Sequence, residues 1–251
     1  MGNMIYIVGI GPGDEAYLTA QARTAIEESD VIVGYTVYVE LLKKSFPEKE
    51  YRTTGMRQEL ERCRLCAELA AEGKTVALIC SGDAGVYGMA SPMLEMLGED
   101  KETDVAVIPG ITAAHSGAAL LGAPLGHDYC TISLSDLLTP WEVIEQRLTA
   151  AVQGDFVIVL YNPASKKRAD YLKRACEIML AAGAGEDRAC GIAENIGRDG
   201  ANSRVCTLAE LAEAGVNMFT TVFIGNSKTR IVGDRLVTPR GYVERSSRER
   251  D

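Results

Sequence analysis

Met4-Ile5-Tyr6-Ile7-Val8-Gly9-Ile10-Gly11-Pro12-Gly13-Asp14 is the stretch on which the fold turns. Residues 4–8 form a short apolar run of the kind buried on both faces of a parallel sheet. A glycine turn follows. Residues 18–29 then place Leu18, Ala22, Ala25 and Ile26 at helical spacing. Strand, glycine turn and helix make the first half of a βαβ unit.

The alternation continues outward from there. Strands are expected at 31–33, 75–80 and 105–108, with helices at 59–72, 91–97 and 112–121, which implies a mostly parallel sheet. Later residues read differently. Strands at 130–134, 156–161, 188–194, 204–207 and 221–225 have helices only at 141–152 and 168–181, so adjacent strands without a helix between them point to a mixed sheet. Gly122-Ala123-Pro124-Leu125-Gly126 breaks the pattern. The expectation is an α/β protein of two domains, 1–122 and 123–241, with a charged tail at 242–251. A chain of 251 residues suits two such domains better than one barrel.

Composition narrows the class. Hydrophobic residues at 47% and charged residues at 24% exclude a disordered chain or a fibre. Twenty-six Lys+Arg against thirty-five Asp+Glu give a net charge of −9, which argues against nucleic acid as a partner. No apolar run approaches the ~20 residues of a membrane span, so no membrane partner is expected. Met1 to Val8 lacks the basic segment of a signal peptide. Seven scattered cysteines suggest reduced thiols and a cytoplasmic location. Cys63 and Cys66 share one face of a predicted helix. Without a second such pair they read as buried thiols, and no metal is expected.

Gly9 to Asp14 sits where a dinucleotide fingerprint would, but does not fit one. The third glycine is replaced by Asp14, and Pro12 has no N–H to offer a phosphate. The second strand runs into Gly34-Tyr35 with no acid for a ribose. An NAD-dependent oxidoreductase is therefore disfavoured. The turn instead lets a ligand or another chain segment approach the backbone closely. Ser81-Gly82-Asp83-Ala84-Gly85-Val86-Tyr87-Gly88 and Pro109-Gly110-Ile111-Thr112-Ala113 follow two further strands. Asp83 and Thr112 each suit a helix cap or a ligand contact. Three glycine-bearing loops at the carboxyl ends of parallel strands point jointly to a ligand site.

These three loops resemble those of the tetrapyrrole methylase family, which uses S-adenosylmethionine. Leu160 to Ser165, Ala193 to Arg198 and Thr220 to Asn226 agree with it, and the resemblance runs from Met4 to about Tyr242. The strings Ile132 to Trp141 and Tyr161-Asn162-Pro163 are similar to the corrin branch. Ala84 departs from the proline that family members often carry there. The resemblance implies S-adenosylmethionine-dependent methylation of precorrin-3B or cobalt-precorrin-3 at C-17 with ring contraction, in cobalamin formation. It leaves S-adenosylhomocysteine as product and leaves open whether cobalt is already in the ring. It further implies two α/β domains with the cofactor in a cleft between them, and a homodimer. Pro12, Ser81, Gly82, Asp83, Val86, Thr112, Ala113, Asn162, Ala193 and Thr221 match the cofactor-binding positions, with Asp83 the carboxylate beside the sulfonium. Ser135, Asp136, Glu194 and His127 are candidates for proton handling. Arg57, Lys166 and Arg198 are candidates for the substrate's carboxylates. The competing readings are the same fold acting on another precorrin position, ribosomal RNA or a protein residue, and a non-catalytic binder of cofactor or tetrapyrrole.

Overall fold

The computed structural model describes residues 3–99, 102–165 and 169–242. The chain divides into two compact units, Met1–Ser116 with Ile196–Asp199, and Gly117–Asn195 with Gly200–Asp251.

In the first unit β1 (Met4–Gly9) leads through a 3-10 turn (Glu15–Tyr17) to α1 (Ala20–Glu28) and β2 (Val31–Tyr35). Next come α2 (Thr36–Leu42), β3 (Glu50–Thr54), α3 (Glu59–Ala71) and β4 (Thr75–Cys80). The series closes with α4 (Ala90–Leu97), β5 (Asp104–Ile108) and α5 (Ala113–Leu121), within which the chain passes to the second unit. The sheet order is β3-β2-β4-β1-β5, every pairing parallel. Thr19 caps α1 by accepting from the Ala22 N–H, and Ala22, Ala25 and Ile26 face the sheet as their spacing demands.

Both faces of the sheet are covered. Ile5, Ile7, Val76 and Leu78 pack under α3 and α4, while Val8, Ile32, Ala77 and Ile79 pack under α1 and α2. Each fully buried Ile, Leu or Val contributes about 1.5–3 kcal/mol, and these central strands hold the core. The connection from β1 to β2 passes over β4, and that from β4 to β5 passes over β1 on the opposite face. The strand order therefore reverses between β1 and β4, where α/β sheets open a crevice at their carboxyl ends.

The second unit contains β6 (Gly122–Ala123), β7 (Tyr129–Ser133), α6 (Trp141–Gln153), β8 (Val157–Tyr161), α7 (Tyr171–Ala181) and β9 (Ala189–Glu194). It continues with β10 (Asn202–Thr207), α8 (Leu208–Ala212), β11 (Thr220–Ile224), β12 (Arg230–Val232) and β13 (Arg235–Val237). The order β10-β9-β11-β8-β7 is mixed: β7 and β8 are parallel, the other pairs antiparallel. One face lies under α6, α7 and α8 through Ile144, Leu148, Leu172, Met179, Leu208 and Leu211. On β9, Gly191 lies against Leu121: a Cβ there would fall 2.7 Å from Leu121 Cδ1, so the leucine would have to shift. The Gly122-Ala123 break is itself a short strand, paired with the β12–β13 hairpin.

Candidate active site

The parallel sheet brings the loops after β4, β1 and β5 side by side. Gly11 N–H donates to Gly82 O at 3.0 Å and Gly82 N–H to Gly11 O at 2.7 Å, a two-residue bridge between the first two loops. A Cβ on Gly9 would lie 2.7 Å from Gly110 N, and one on Gly110 only 2.2 Å from Gly82 O. Backbone therefore rests directly on backbone, and any side chain would force the loops apart.

Asp83 fastens this arrangement. Its Oδ1 accepts from the N–H groups of Gly85 (2.8 Å) and Val86 (3.1 Å), and its Oδ2 from that of Gly110 (2.9 Å). One oxygen shapes the second loop and the other ties it to the third. Both oxygens are thus engaged with main chain, and the negative charge stands at the junction.

The first loop meets a fourth element, Ile196–Asp199. Asp14 N–H donates to Gly197 O at 2.8 Å, and a Cβ on Gly13 would lie 1.9 Å from that same oxygen. Arg198 Nε donates to Pro12 O at 3.0 Å and its Nη2 to Ser81 Oγ at 3.3 Å. The guanidinium carbon stands 5.9 Å from the centre of the Tyr38 ring. Burial draws the Arg198 pKa below its ordinary value, with Tyr38 pulling the other way. Of the two uses open to the glycine turn, the approach of another segment accounts for Gly13.

Gly82 is less crowded than Gly9 or Gly110: a Cβ there would meet Ala113 N and Thr112 Cα at ordinary contact distance, both 3.8 Å. Pro12, Gly82 and Thr112 are buried; Ser81, Asp83, Val86 and Ala113 are half-buried around them. These loop residues carry two hydroxyls, Ser81 and Thr112, and one carboxylate, Asp83. That donor set fits a sulfonium cofactor and would suit a pyrophosphate poorly.

A second group of predicted residues gathers at one edge of the mixed sheet. Ser133 is in register with Tyr161, Thr221 with Ala193, and Thr220 with Glu194, so the ends of β7, β8 and β9 meet the start of β11. Asn162 and Asn195 follow β8 and β9 with positive φ of 54° and 50°, a conformation Asn tolerates better than most residues. Asn162 Nδ2 donates to Ser133 Oγ at 3.0 Å, which also accepts the Ser135 N–H at 3.2 Å. The Tyr171 hydroxyl donates to Asp136 Oδ2 at 2.6 Å. Glu194 Oε1 accepts from Asn217 Nδ2, whose amide oxygen accepts the Phe219 N–H at 2.7 Å.

Three predicted residues stand apart. His127 precedes β7, at the opposite end of that strand from Ser133, and is exposed. Five residues of strand at ~3.3 Å each separate it from the cluster. Arg57 is exposed in the loop after β3 with φ +66°, a strained conformation for a non-glycine residue. Lys166 lies outside the described residues. Sequence reasoning missed Tyr38, Tyr171 and Asn217. Tyr38 falls in Gly34-Tyr35-Thr36-Val37-Tyr38 just after a strand, which was a usable signal; Tyr171 and Asn217 carried none.

All seven cysteines are free thiols. Cys63 and Cys66, on α3, are buried in the core, and burial pushes Cys66 far up and Cys80 up to about 12. Among the described residues no group of His, Cys, Asp and Glu could hold a metal ion. Nor is any described helix long and apolar enough to cross a membrane.

A parallel sheet with three interlocked loops and a second unit with a mixed sheet define a tetrapyrrole methylase fold. The chain belongs to the tetrapyrrole (corrin/porphyrin) methylases, whose sequence model matches residues 4–212. It is 45% identical over 241 residues to a probable cobalt-factor III C(17)-methyltransferase of Salmonella typhimurium, covering 96% of this chain and 100% of that protein. A cobalt-factor III methyltransferase of Priestia megaterium is 45% identical over 247 residues; there the chain spans 46% of a longer protein. The crystal structure of the methyltransferase CobJ superposes with a TM-score of 0.87 at 37% identity, covering 94% of this chain and 100% of that one. The family resemblance read from the loops is borne out.

Proposed function

We propose that the chain transfers a methyl group from S-adenosylmethionine to C-17 of a cobalt-bearing tetrapyrrole at the precorrin-3 stage, with ring contraction, in corrin formation. The observation that carries this reading is the full-length match to a cobalt-factor III C(17)-methyltransferase. The Asp83-fastened glycine loops supply a cradle of the right chemistry. The names of the relatives support the cobalt-bearing form of the substrate.

When bound, the methyl donor supplies an electrophilic methyl on a positively charged sulfur. Pro12, Ser81, Gly82, Val86, Thr112 and Ala113 hold it by backbone and hydroxyl contacts, and the Asp83 charge favours the sulfonium. Asn162, Ala193 and Thr221 match further cofactor-binding positions of the family. The protein's share in transfer is to fix the acceptor carbon and the methyl in attacking geometry and keep water out. Ring contraction needs proton movement, for which Ser135 and Asp136 after β7 and Glu194 at the end of β9 are the candidates. The substrate itself supplies the carboxylate that closes a lactone. Arg198 and Arg57 are the candidates for its peripheral carboxylates, and His127 lies at the far end of β7 from Ser133. Resemblance and seven free thiols support a homodimer working in the cytoplasm, which sedimentation and cell fractionation test.

The deciding experiment is anaerobic incubation of pure protein with S-adenosylmethionine and the trimethylated macrocycle, with and without cobalt, read by product mass and absorption spectrum. A gain of one methyl with a changed chromophore, dependent on cobalt, is the expected result. Cofactor binding without any mass change would move the acceptor to another precorrin position, RNA or a protein residue.

A further inference from the structure

We propose that Tyr38 and Arg198, backed by Arg62, form a carboxylate-recognition site at the carboxyl edge of the parallel sheet. This rests on the methyltransferase reading and adds residues to it. Tyr38 lies in the first turn of α2, directly after β2, beside the loop that holds Ser81. Its ring is half-buried and supports the Arg198 guanidinium at 5.9 Å. Its hydroxyl makes no hydrogen bond among the described residues.

Arg62 enters from α3 and is only 4% exposed. Its nitrogens donate to Thr54 Oγ1 at 2.8 Å, Gly55 O at 3.1 Å and Met89 Sδ at 3.5 Å, all neutral acceptors. A buried guanidinium with no carboxylate partner among the described residues is costly, and in a chain of net charge −9 it is unexpected. The charged and titratable groups acting on Tyr38 are Arg198, Tyr35, Cys80 and Arg62, with no carboxylate among them. Burial raises the Tyr38 pKa despite both arginines, so the phenol stays protonated as a donor.

Two cations and a free O–H donor at a ligand edge call for an anion with two acceptor oxygens, and a carboxylate matches. It comes either from the methionine end of the methyl donor or from an acetate or propionate arm of the macrocycle. Arg62 is too deeply placed to touch the ligand, so it acts by its charge. Tyr38 and Arg198 make the contacts.

Tyr38→Phe is the test, because it keeps the ring under Arg198 and removes only the hydroxyl. Calorimetry measures binding of S-adenosylhomocysteine and of 5′-methylthioadenosine, which lacks the amino-acid end. Steady-state assays measure KM and kcat for the macrocycle. About tenfold weaker S-adenosylhomocysteine with unchanged 5′-methylthioadenosine places the cofactor's carboxylate here. A comparable rise in macrocycle KM, with kcat and both nucleoside affinities unchanged, places a macrocycle arm here. Unchanged values throughout, or equal weakening of both nucleosides, overturn the site. Turnover by the unsubstituted protein tests the methylation reading separately, and the nucleoside titrations do not depend on it.

Discussion

The Nε–H of Arg198 reaches the carbonyl oxygen of Pro12 at 3.0 Å, joining residues 186 positions apart. Together with the Asp14 N–H on Gly197 O, it makes Ile196–Asp199 part of the wall of the first glycine loop. The shape of the GPG turn is thus set by a segment from the far end of the chain. Local turn preference alone does not explain it.

Gly13→Ala tests this dependence. The new methyl would fall 1.9 Å from Gly197 O, so the loop and the 196–199 segment must separate. Overpacking of this kind costs about 1–3 kcal/mol, and S-adenosylhomocysteine binding should weaken with it. Gly215→Ala is the control, since nothing lies within 4 Å of its Cβ position. Thermal unfolding and calorimetry should separate the two variants; equal behaviour would contradict the role given to the segment.

Asp83→Ala should be the most damaging change in the second loop. It strands the N–H groups of Gly85, Val86 and Gly110 at once. Losing hydrogen bonds to a charged acceptor costs about 1.5–3 kcal/mol, and the cradle loses its one negative charge. Asp83→Asn retains an acceptor for part of this set and should fall between the alanine variant and the native protein. Cofactor affinity measured for all three checks the order.

The core strands and the three loops were legible because buried parallel strands are continuous apolar runs and because glycine carries a backbone meaning wherever it stands. β3 was not. Glu50-Tyr51-Arg52-Thr53-Thr54 is a largely exposed edge strand with no apolar alternation. The β12–β13 hairpin was legible in principle, since Gly233-Asp234 between two strand-like triplets is a turn signal. Asp83 left two readings open, cap or ligand contact, because which N–H groups would converge on it depends on β4 and β5 flanking β1. The Arg62–Tyr38–Arg198 grouping unites three elements, and no spacing in the sequence announces it.

A pH effect is expected in the turn before β8. Burial raises the Asp155 pKa, but hydrogen bonds from Ser227 N (2.7 Å) and Oγ (2.6 Å), with Arg188 and Lys228, hold it below the ordinary 3.8. A lowered folded-state value means the folded state binds the proton less readily than the unfolded chain. The contribution is therefore full above about pH 4 and lost as pH falls through the folded-state value. Asp155→Asn should lower Tm modestly at pH 7, and the gap from the native protein should close in acid. A gap independent of pH would assign the effect to shape and not to charge.

Glu194 and Asn217 give the sharpest test of proton handling. The Asn217 amide is oriented by the Phe219 N–H on its oxygen, so its nitrogen must face Glu194. Glu194→Gln keeps the size of the side chain but removes the base and places an amide nitrogen where an acceptor stood. If Glu194 moves a proton in ring contraction, this variant should still bind S-adenosylhomocysteine normally and still add the methyl. Its product should keep the uncontracted chromophore, with contraction slowed about 10²–10⁴-fold. Asn217→Asp, which sets a second carboxylate against Glu194, should shift the acid limb of the contraction profile upward in pH, because like charges favour protonation. Parallel loss of methylation and contraction in Glu194→Gln would instead make Glu194 a residue that holds the macrocycle in place.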